Sequence, residues 1–288
     1  MLVKELKLDQ DKARLVCYLH EPHPDMSDFC ERPAVVVCPG GGYGYCSPRE
    51  ADPIALHYAA AGFHAFVLYY ATGDDVAFPT PLYELSLALK TIRDYAEEWG
   101  VIPNCIAICG FSAGGHLCAS LGTLWNHPLL ETMEGFSGKE NRPDAMILGY
   151  PVITTSWMEN CGALPRILGT HPENLPLLSC QKQVGQHTPP AFIFHTYEDN
   201  AVPVEDSLAL AGAMAAADVP FELHIFKDGG HGISLANPLT GHFSDGVPGS
   251  EVSAWMSMSC EWLWRLFGMP NVPRREKIDR AHPSVSNQ

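Results

Sequence analysis

The stretch "CIAICGFSAGGHLCASLGTLW", Cys105–Trp125, decides how the rest of the chain reads. Cys105–Cys109 is continuously apolar, the composition of a strand covered on both faces. After Ser112 the residues turn small, as in a helix lying close against a sheet. Between strand and helix sits Gly110-Phe111-Ser112-Ala113-Gly114, a G-x-S-x-G pentapeptide. A serine on so sharp a turn has strained backbone and an exposed hydroxyl, and side chains two positions either side would collide. The new helix N-terminus also aims free amides at that hydroxyl. The pentapeptide alone is a weak signal. Strand before and helix after make Ser112 a candidate nucleophile rather than a tight helix entry.

A nucleophilic serine needs a base, and the base needs an orienting acid. Both are expected after later strands. "AFIFHTYEDNAVPVE", Ala191–Glu205, supplies Asp199 just past its strand, with Pro203 opening the next helix. "FELHIFKDGGHGI", Phe221–Ile233, supplies His231 in a glycine-rich loop past the final strand. The order Ser112, Asp199, His231 suits a serine held on this kind of turn. Glu198 is the alternative acid, but the D-x-x-V-P framing favours Asp199. Asp228 is nearer His231 in sequence, yet Asp-Gly-Gly is turn chemistry. His195, inside a strand run, reads as a hydrogen-bonded core histidine. His116 reads as packing or as support behind the reacting groups. His64, His187, His224 and His242 have no partner signal, so surface or structural roles are expected.

Upstream, "VVVCPGGGYGYCS", Val35–Ser47, breaks a buried strand into proline, three glycines and an aromatic. Three glycines give up much entropy on folding, so bare backbone is needed there. A phosphate cradle would require G-x-G-x-x-G or G-x-x-x-x-G-K, and neither is present. An oxyanion hole requires an N–H from the loop after the third strand and the N–H that follows the serine. Gly41, Gly42 and Ala113 are the expected donors, with the Tyr43 N–H as an alternative for one loop position.

Composition bounds the rest. Of 288 residues, 46% are hydrophobic and 18% charged, enough apolar content for a large core and too little charge for extended disorder. A formal charge of −15 argues against nucleic acid or an anionic membrane as partner. "MLVKELKLDQDKARL" has no apolar h-region, so no signal peptide is expected, and no stretch has transmembrane length. The 10 cysteines are scattered, several in apolar strands and none in C-x-x-C, which suits reduced thiols in a cytoplasm. No cluster has metal-ligand spacing, so neither metal nor cofactor is expected.

Short apolar runs recur along the chain. "LVKELKL" and "ARLVCYLH" read as an antiparallel pair, followed by "AVVVC", "HAFVLYY", "CIAIC", "DAMILGY", "AFIFHT" and "FELHIFK". Ser47-Pro48-Arg49-Glu50 reads as a capping box opening a helix that runs to Gly62. "PLYELSLALKTIRDYAEEWG" puts Leu85, Leu89, Ile92, Ala96 and Trp99 on one face and stops at Gly100. Further helices are expected over about 113–124, 203–217 and 251–266. Strands alternating with helices predict an α/β fold, a parallel sheet covered on both faces. A single domain is expected over 1–268, with a polar tail at 269–288. The longest irregular insertion, Pro151–Pro189, has the character of a lid.

The set "PGGGYGYCSPRE", "GFSAGGH", "EDNAVPVE" and "GGHG" resembles the α/β-hydrolase superfamily. Within it, the chain is similar to acetylxylan-esterase-like (BD-FAE-like) bacterial lipases and esterases, over Pro33–Gly268. The resemblance implies an eight-stranded, mostly parallel sheet with helices on both faces and a small insertion between strands 6 and 7. It maps the family's triad onto Ser112, Asp199 and His231. It further implies a cofactor-free serine esterase for short acyl groups, acetyl above all, on carbohydrates such as acetylated xylo-oligosaccharides. One departure is Pro39, where H-G-G-G esterases and lipases carry a histidine that helps hold the oxyanion loop. The loop's detailed geometry is thus open, though not its role. Tyr43, Tyr45 and Trp157 are candidate aromatic faces for a sugar ring. The implied partner is a small-molecule or oligosaccharide ester, with a homo-oligomer left open. The rivals are a general carboxylesterase or lipase, a serine peptidase of the same fold, and a silent binding protein.

Overall fold

The apolar runs assemble into one eight-stranded sheet in a computed structural model that describes residues 1–9, 12–23, 25, 30–73, 76–131, 136, 138–160, 164–169, 171–240 and 251–268. The strands are β1 (Leu2–Leu8), β2 (Ala13–Leu19), β3 (Arg32–Cys38), β4 (His64–Tyr69), β5 (Val101–Phe111), β6 (Ala145–Gly149), β7 (Ala191–Thr196) and β8 (Phe221–Phe226). Their order is β1-β2-β4-β3-β5-β6-β7-β8. The β1–β2 and β2–β4 pairs are antiparallel, and every pair from β4 through β8 is parallel. All seven residues of β3 are buried, whereas none of β8's are. That difference is why the central runs read as continuously apolar and the edge runs as mixed.

Helices α1 (Asp52–Ala60), α2 (Thr80–Asp94), α3 (Ala96–Trp99), α4 (Ala113–Leu124), α5 (Pro128–Glu131), α6 (Thr155–Asn160), α7 (Leu164–Leu168), α8 (Val204–Ala216) and α9 (Trp255–Phe267) complete the chain. Two apolar cores result, one on each face of the sheet. α2, α4 and α8 bury Leu85, Leu89, Leu117, Leu121, Leu210 and Met214 on one face. α1 and α9 bury Ile54, Tyr58, Trp255 and Leu263 on the other. Trp255 stacks on Phe194 at 4.4 Å and donates its indole N–H to the Ser234 carbonyl at 2.9 Å.

Three local expectations are corrected. Ser47 caps nothing with its side chain; Pro48–Glu50 is a short 3₁₀ turn, and α1 starts only at Asp52. Glu50 turns inward instead, where its carboxylate finds buried donors. The expected long helix ending at Gly100 is split at Tyr95, though its predicted apolar face is buried throughout. Residues Glu251–Ala254 form a 3₁₀ turn ahead of α9. The tail at 269–288, His242 and the side chain of Trp157 lie outside the described residues.

Parallel pairing brings strand ends into register, Phe111 beside Gly149 and Gly149 beside Phe194. Segments leaving β5, β7 and β8 therefore converge at one edge, where open α/β sheets bind ligands. Among the described residues, no helix is long and apolar enough to cross a membrane.

Candidate active site

Ser112 follows the last residue of β5 with φ 52° and ψ −118°, a backbone conformation that non-glycine residues seldom adopt. Three hydrogen bonds clamp it. Its N–H donates to the Gly149 carbonyl (3.1 Å), and its carbonyl accepts from His116 N–H (3.0 Å) and Val152 N–H (3.2 Å). The glycines at either side answer a steric demand. A Cβ at Gly110 would run into the Gly114 carbonyl, and one at Gly114 into the Cys38 carbonyl.

Ser112 Oγ lies 2.8 Å from His231 Nε2, and His231 Nδ1 lies 2.7 Å from Asp199 Oδ2. Asp199 Oδ1 accepts the Ala201 and Val202 amides, each at 2.9 Å. Burial pushes the Asp199 carboxyl up, but bonds from His195 and His231 outweigh it and hold the group below the usual carboxylate range. An ionised carboxylate only accepts, so the His231 proton sits on Nδ1. Its Nε2 lone pair then faces the serine hydroxyl.

His195 is more than a core histidine. Its Nε2 is 3.0 Å from the Val202 carbonyl, which fixes a proton there, and Nδ1 accepts from Ser207 Oγ at 2.8 Å. The same Nε2 stands 3.4 Å from Asp199 Oδ2, the oxygen that His231 also contacts. By contrast, Glu198 and Asp228 are exposed and face Lys227, at 3.7 Å and 2.7 Å.

The glycine loop runs at positive φ through Gly41 (129°), Gly42 (61°) and Tyr43 (61°). Among the described residues, none accepts a hydrogen bond from the amides of Gly41, Gly42 or Ala113. The loop's support comes from behind. Tyr70 O–H donates to the Pro39 carbonyl (2.7 Å), and Glu50 Oε2 accepts the Gly40 N–H (2.9 Å). Glu50 Oε1 accepts Tyr150 O–H at 2.6 Å. Burial and the adjacent Glu50 charge push the Tyr150 phenol well above its ordinary value, so it stays a donor. The spacing S-x-x-E hid Glu50 behind a capping reading; nothing local in the sequence points to Tyr150.

Tyr43, expected to offer a ring to substrate, is turned inward against Tyr70 and His116. Its O–H donates to His116 Nδ1 (2.7 Å), while His116 Nε2–H donates to the Leu178 carbonyl (2.9 Å). Burial lowers His116 to about 4, so it is neutral at ordinary pH. Tyr43 also lines a small, mainly apolar cavity of about 10 Å³, with Phe78, Leu82, Leu117 and Ile167 in its other walls. Tyr45 is 59% exposed and borders an open groove with Arg14, Tyr69 and Thr72. His64 and His187 bond the carbonyls of Gly100 and Thr123, and His224 stands 3.5 Å from Glu222; none of these contacts involves Ser112, Asp199 or His231.

The BD-FAE family model matches residues 23–214. The chain belongs to the BD-FAE family. It is 36% identical over 249 residues to endo-1,4-beta-xylanase B of Butyrivibrio fibrisolvens, covering 85% of this chain and 38% of that protein. It is 32% identical over 237 residues to an acetylxylan esterase of Xylanibacter ruminicola, covering 79% and 45%. This BD-FAE chain thus spans less than half the length of both curated relatives. Among solved structures, the carboxylesterase Cest-2923 of Lactobacillus plantarum superposes with a TM-score of 0.80 at 30% identity, covering 91% of this chain and 97% of that one. The likeness to solved structures, with the eight-stranded sheet, gives the chain the α/β-hydrolase fold.

Proposed function

We propose that this BD-FAE family member hydrolyses short acyl esters, acetyl above all, on carbohydrates such as acetylated xylo-oligosaccharides, through an acyl-enzyme on Ser112. The observation that carries the reading is the continuous line Ser112 Oγ–His231–Asp199, with each contact under 3 Å. His231 Nε2 takes the hydroxyl proton as Ser112 Oγ attacks the ester carbonyl. Asp199, kept ionised, holds the imidazole tautomer and stabilises the cation that forms. Amides of Gly41, Gly42 and Ala113 receive the oxyanion. The protonated His231 gives its proton to the departing alkoxide, which leaves as the alcohol; the neutral imidazole then takes a proton from the water that attacks the acyl-enzyme and frees the acid.

The acetyl and carbohydrate part rests on the acetylxylan esterase relative and on how the segment between β6 and β7 is held. A long acyl chain needs extended apolar surface. Here the segment between β6 and β7 is fastened down near its start and again at Leu178. Asp206 accepts the Ile153 and Thr154 amides at 2.7 and 3.1 Å, and Leu178 is held by His116.

The test is an ester panel on parent and Ser112→Ala enzyme, with fluorophosphonate labelling of both. Each fitting methylene adds up to ~0.8 kcal/mol of binding, so kcat/KM peaks between p-nitrophenyl acetate and butyrate and falls by octanoate. Acetylated xylo-oligosaccharides release acetate, and Ser112→Ala loses at least ~10³-fold in kcat together with the label. A preference for octanoate with no acetate released from acetylated sugars replaces this reading with a general lipase or carboxylesterase.

A further inference from the structure

We infer that Glu50 is a positioning residue for the reaction: with Tyr150 it ties the glycine loop that faces the oxyanion to the loop that carries the base. The inference rests on the ester-hydrolase reading above and concerns what keeps its parts aligned.

Glu50 is 3% exposed, and no described cation forms an ion pair with it. A carboxylate buried without a counter-charge is costly, and hydrogen bonds to the charged form are what make it tolerable. Its two oxygens are divided between two separate segments. Oε2 accepts the N–H of Gly40, the residue just before Gly41 and Gly42. Oε1 accepts the O–H of Tyr150. The Tyr150 oxygen in turn accepts the N–H of Ser234 at 3.0 Å, three residues past His231. The Tyr150 ring also lies edge-on to the His231 imidazole, with centroids 5.2 Å apart. One carboxylate and one phenol therefore join positions 40, 150 and 234, far apart in sequence.

Gly40 is pressed against the nucleophile from the other side. A Cβ there would lie 3.1 Å from Ser112 Cβ and 2.8 Å from the Phe111 carbonyl. A small shift of Gly40 is therefore a shift of the oxyanion donors relative to Ser112. Glu50 holds this loop at the Gly40 N–H, one residue along from the Pro39 carbonyl that Tyr70 holds. Alignment of donors with an oxyanion matters in the transition state far more than in the substrate complex. Loosening the Glu50–Tyr150 pair should thus lower kcat and leave KM in place. Because both residues serve one connection, losing the second should add little to losing the first.

The experiment measures kcat and KM for p-nitrophenyl acetate per fluorophosphonate-titrated site in Glu50→Gln, Tyr150→Phe and the double variant. Counting titrated sites removes any contribution from unfolded protein. Each single substitution is expected to lower kcat about tenfold, an order less than removing an oxyanion donor outright, with KM within about twofold. The double variant is expected to match the weaker single variant rather than the product of the two. Overturning results are kcat per site within twofold of parent in the single variants, a loss carried by KM, or multiplicative losses in the double. If one variant does not fold, the other decides on the same criteria. Ser112→Ala is run alongside, and full activity there would overturn the serine mechanism itself.

Discussion

Replacing Asp199 by asparagine tests the geometry of the acid at a single atom pair. Asp199 accepts at both oxygens: two amides at Oδ1, and His231 with His195 at Oδ2. An asparagine keeps the amide bonds only by placing its carbonyl at the Oδ1 position. Its NH₂ then occupies the Oδ2 position and donates to His231 Nδ1. The imidazole proton is forced onto Nε2, facing Ser112, and the base is lost. The same NH₂ meets the Nε2–H of His195, which cannot turn away because the Val202 carbonyl holds it at 3.0 Å. The opposite orientation restores His231 but sets NH₂ against the Ala201 and Val202 amides. Both arrangements are penalised, so kcat is expected to fall about 10⁴-fold, near 5 kcal/mol of barrier. Glu198→Gln, which removes only an exposed charge near Lys227, is expected to stay within about twofold. Steady-state kinetics on p-nitrophenyl acetate for both variants decides. Asp199→Asn retaining above a tenth of parent activity, or Glu198→Gln being the more impaired, refutes the assignment.

Two further outcomes concern stability. Glu84 on α2 is fully buried; it accepts the Ala71 N–H at 2.7 Å through one oxygen, and the other has no partner among the described residues. Burial raises it from the ordinary 4.5 to about 7. Between these values the folded chain keeps a proton that the unfolded chain has lost. Stability is therefore fullest below about 4.5 and declines towards pH 7, by roughly 3 kcal/mol from this group. Denaturant titrations of parent and Glu84→Gln from pH 5 to 8 should show that decline flattened in the variant; parallel curves contradict it. Trp255→Ala removes a ring stacked on Phe194 and opens a cavity, expected to cost about 3–5 kcal/mol by the same titration.

The parts of the site most legible in the sequence were those set by strand ends. A glycine either side of Ser112 is a local steric signature, and Asp199 and His231 follow from which strands precede them. Their mutual distances then come from sheet order and register. Contacts across the fold left no such trace. Glu50 and Tyr150 are 100 residues apart, and the spacing that marks Glu50 as special is also that of a common helix cap. Tyr43 could be read as an open aromatic because its neighbours are glycines. Its positive φ and the His116 acceptor direct the ring inward, and neither is visible from composition. The break at Tyr95 between α2 and α3 carries no glycine or proline to announce it.

The joint Tyr43–His116–Leu178 bears on how this scaffold tolerates exchange of parts. Leu178 contributes only its main-chain carbonyl, so the joint is blind to the side chain at that position. The segment between β6 and β7 thus hangs on this joint, on the Asp206 bonds to Ile153 and Thr154, and on buried side chains such as Ile153 and Leu178. A donor segment from another protein must therefore bring a carbonyl to His116 Nε2 besides matching the Asp206 bonds and the buried side chains. One that does not leaves a buried imidazole N–H without an acceptor, and Tyr43 is braced by a ring that is itself no longer anchored. Chimeras made to alter acyl preference would then be damaged in the glycine loop, at the opposite end of the joint from the graft.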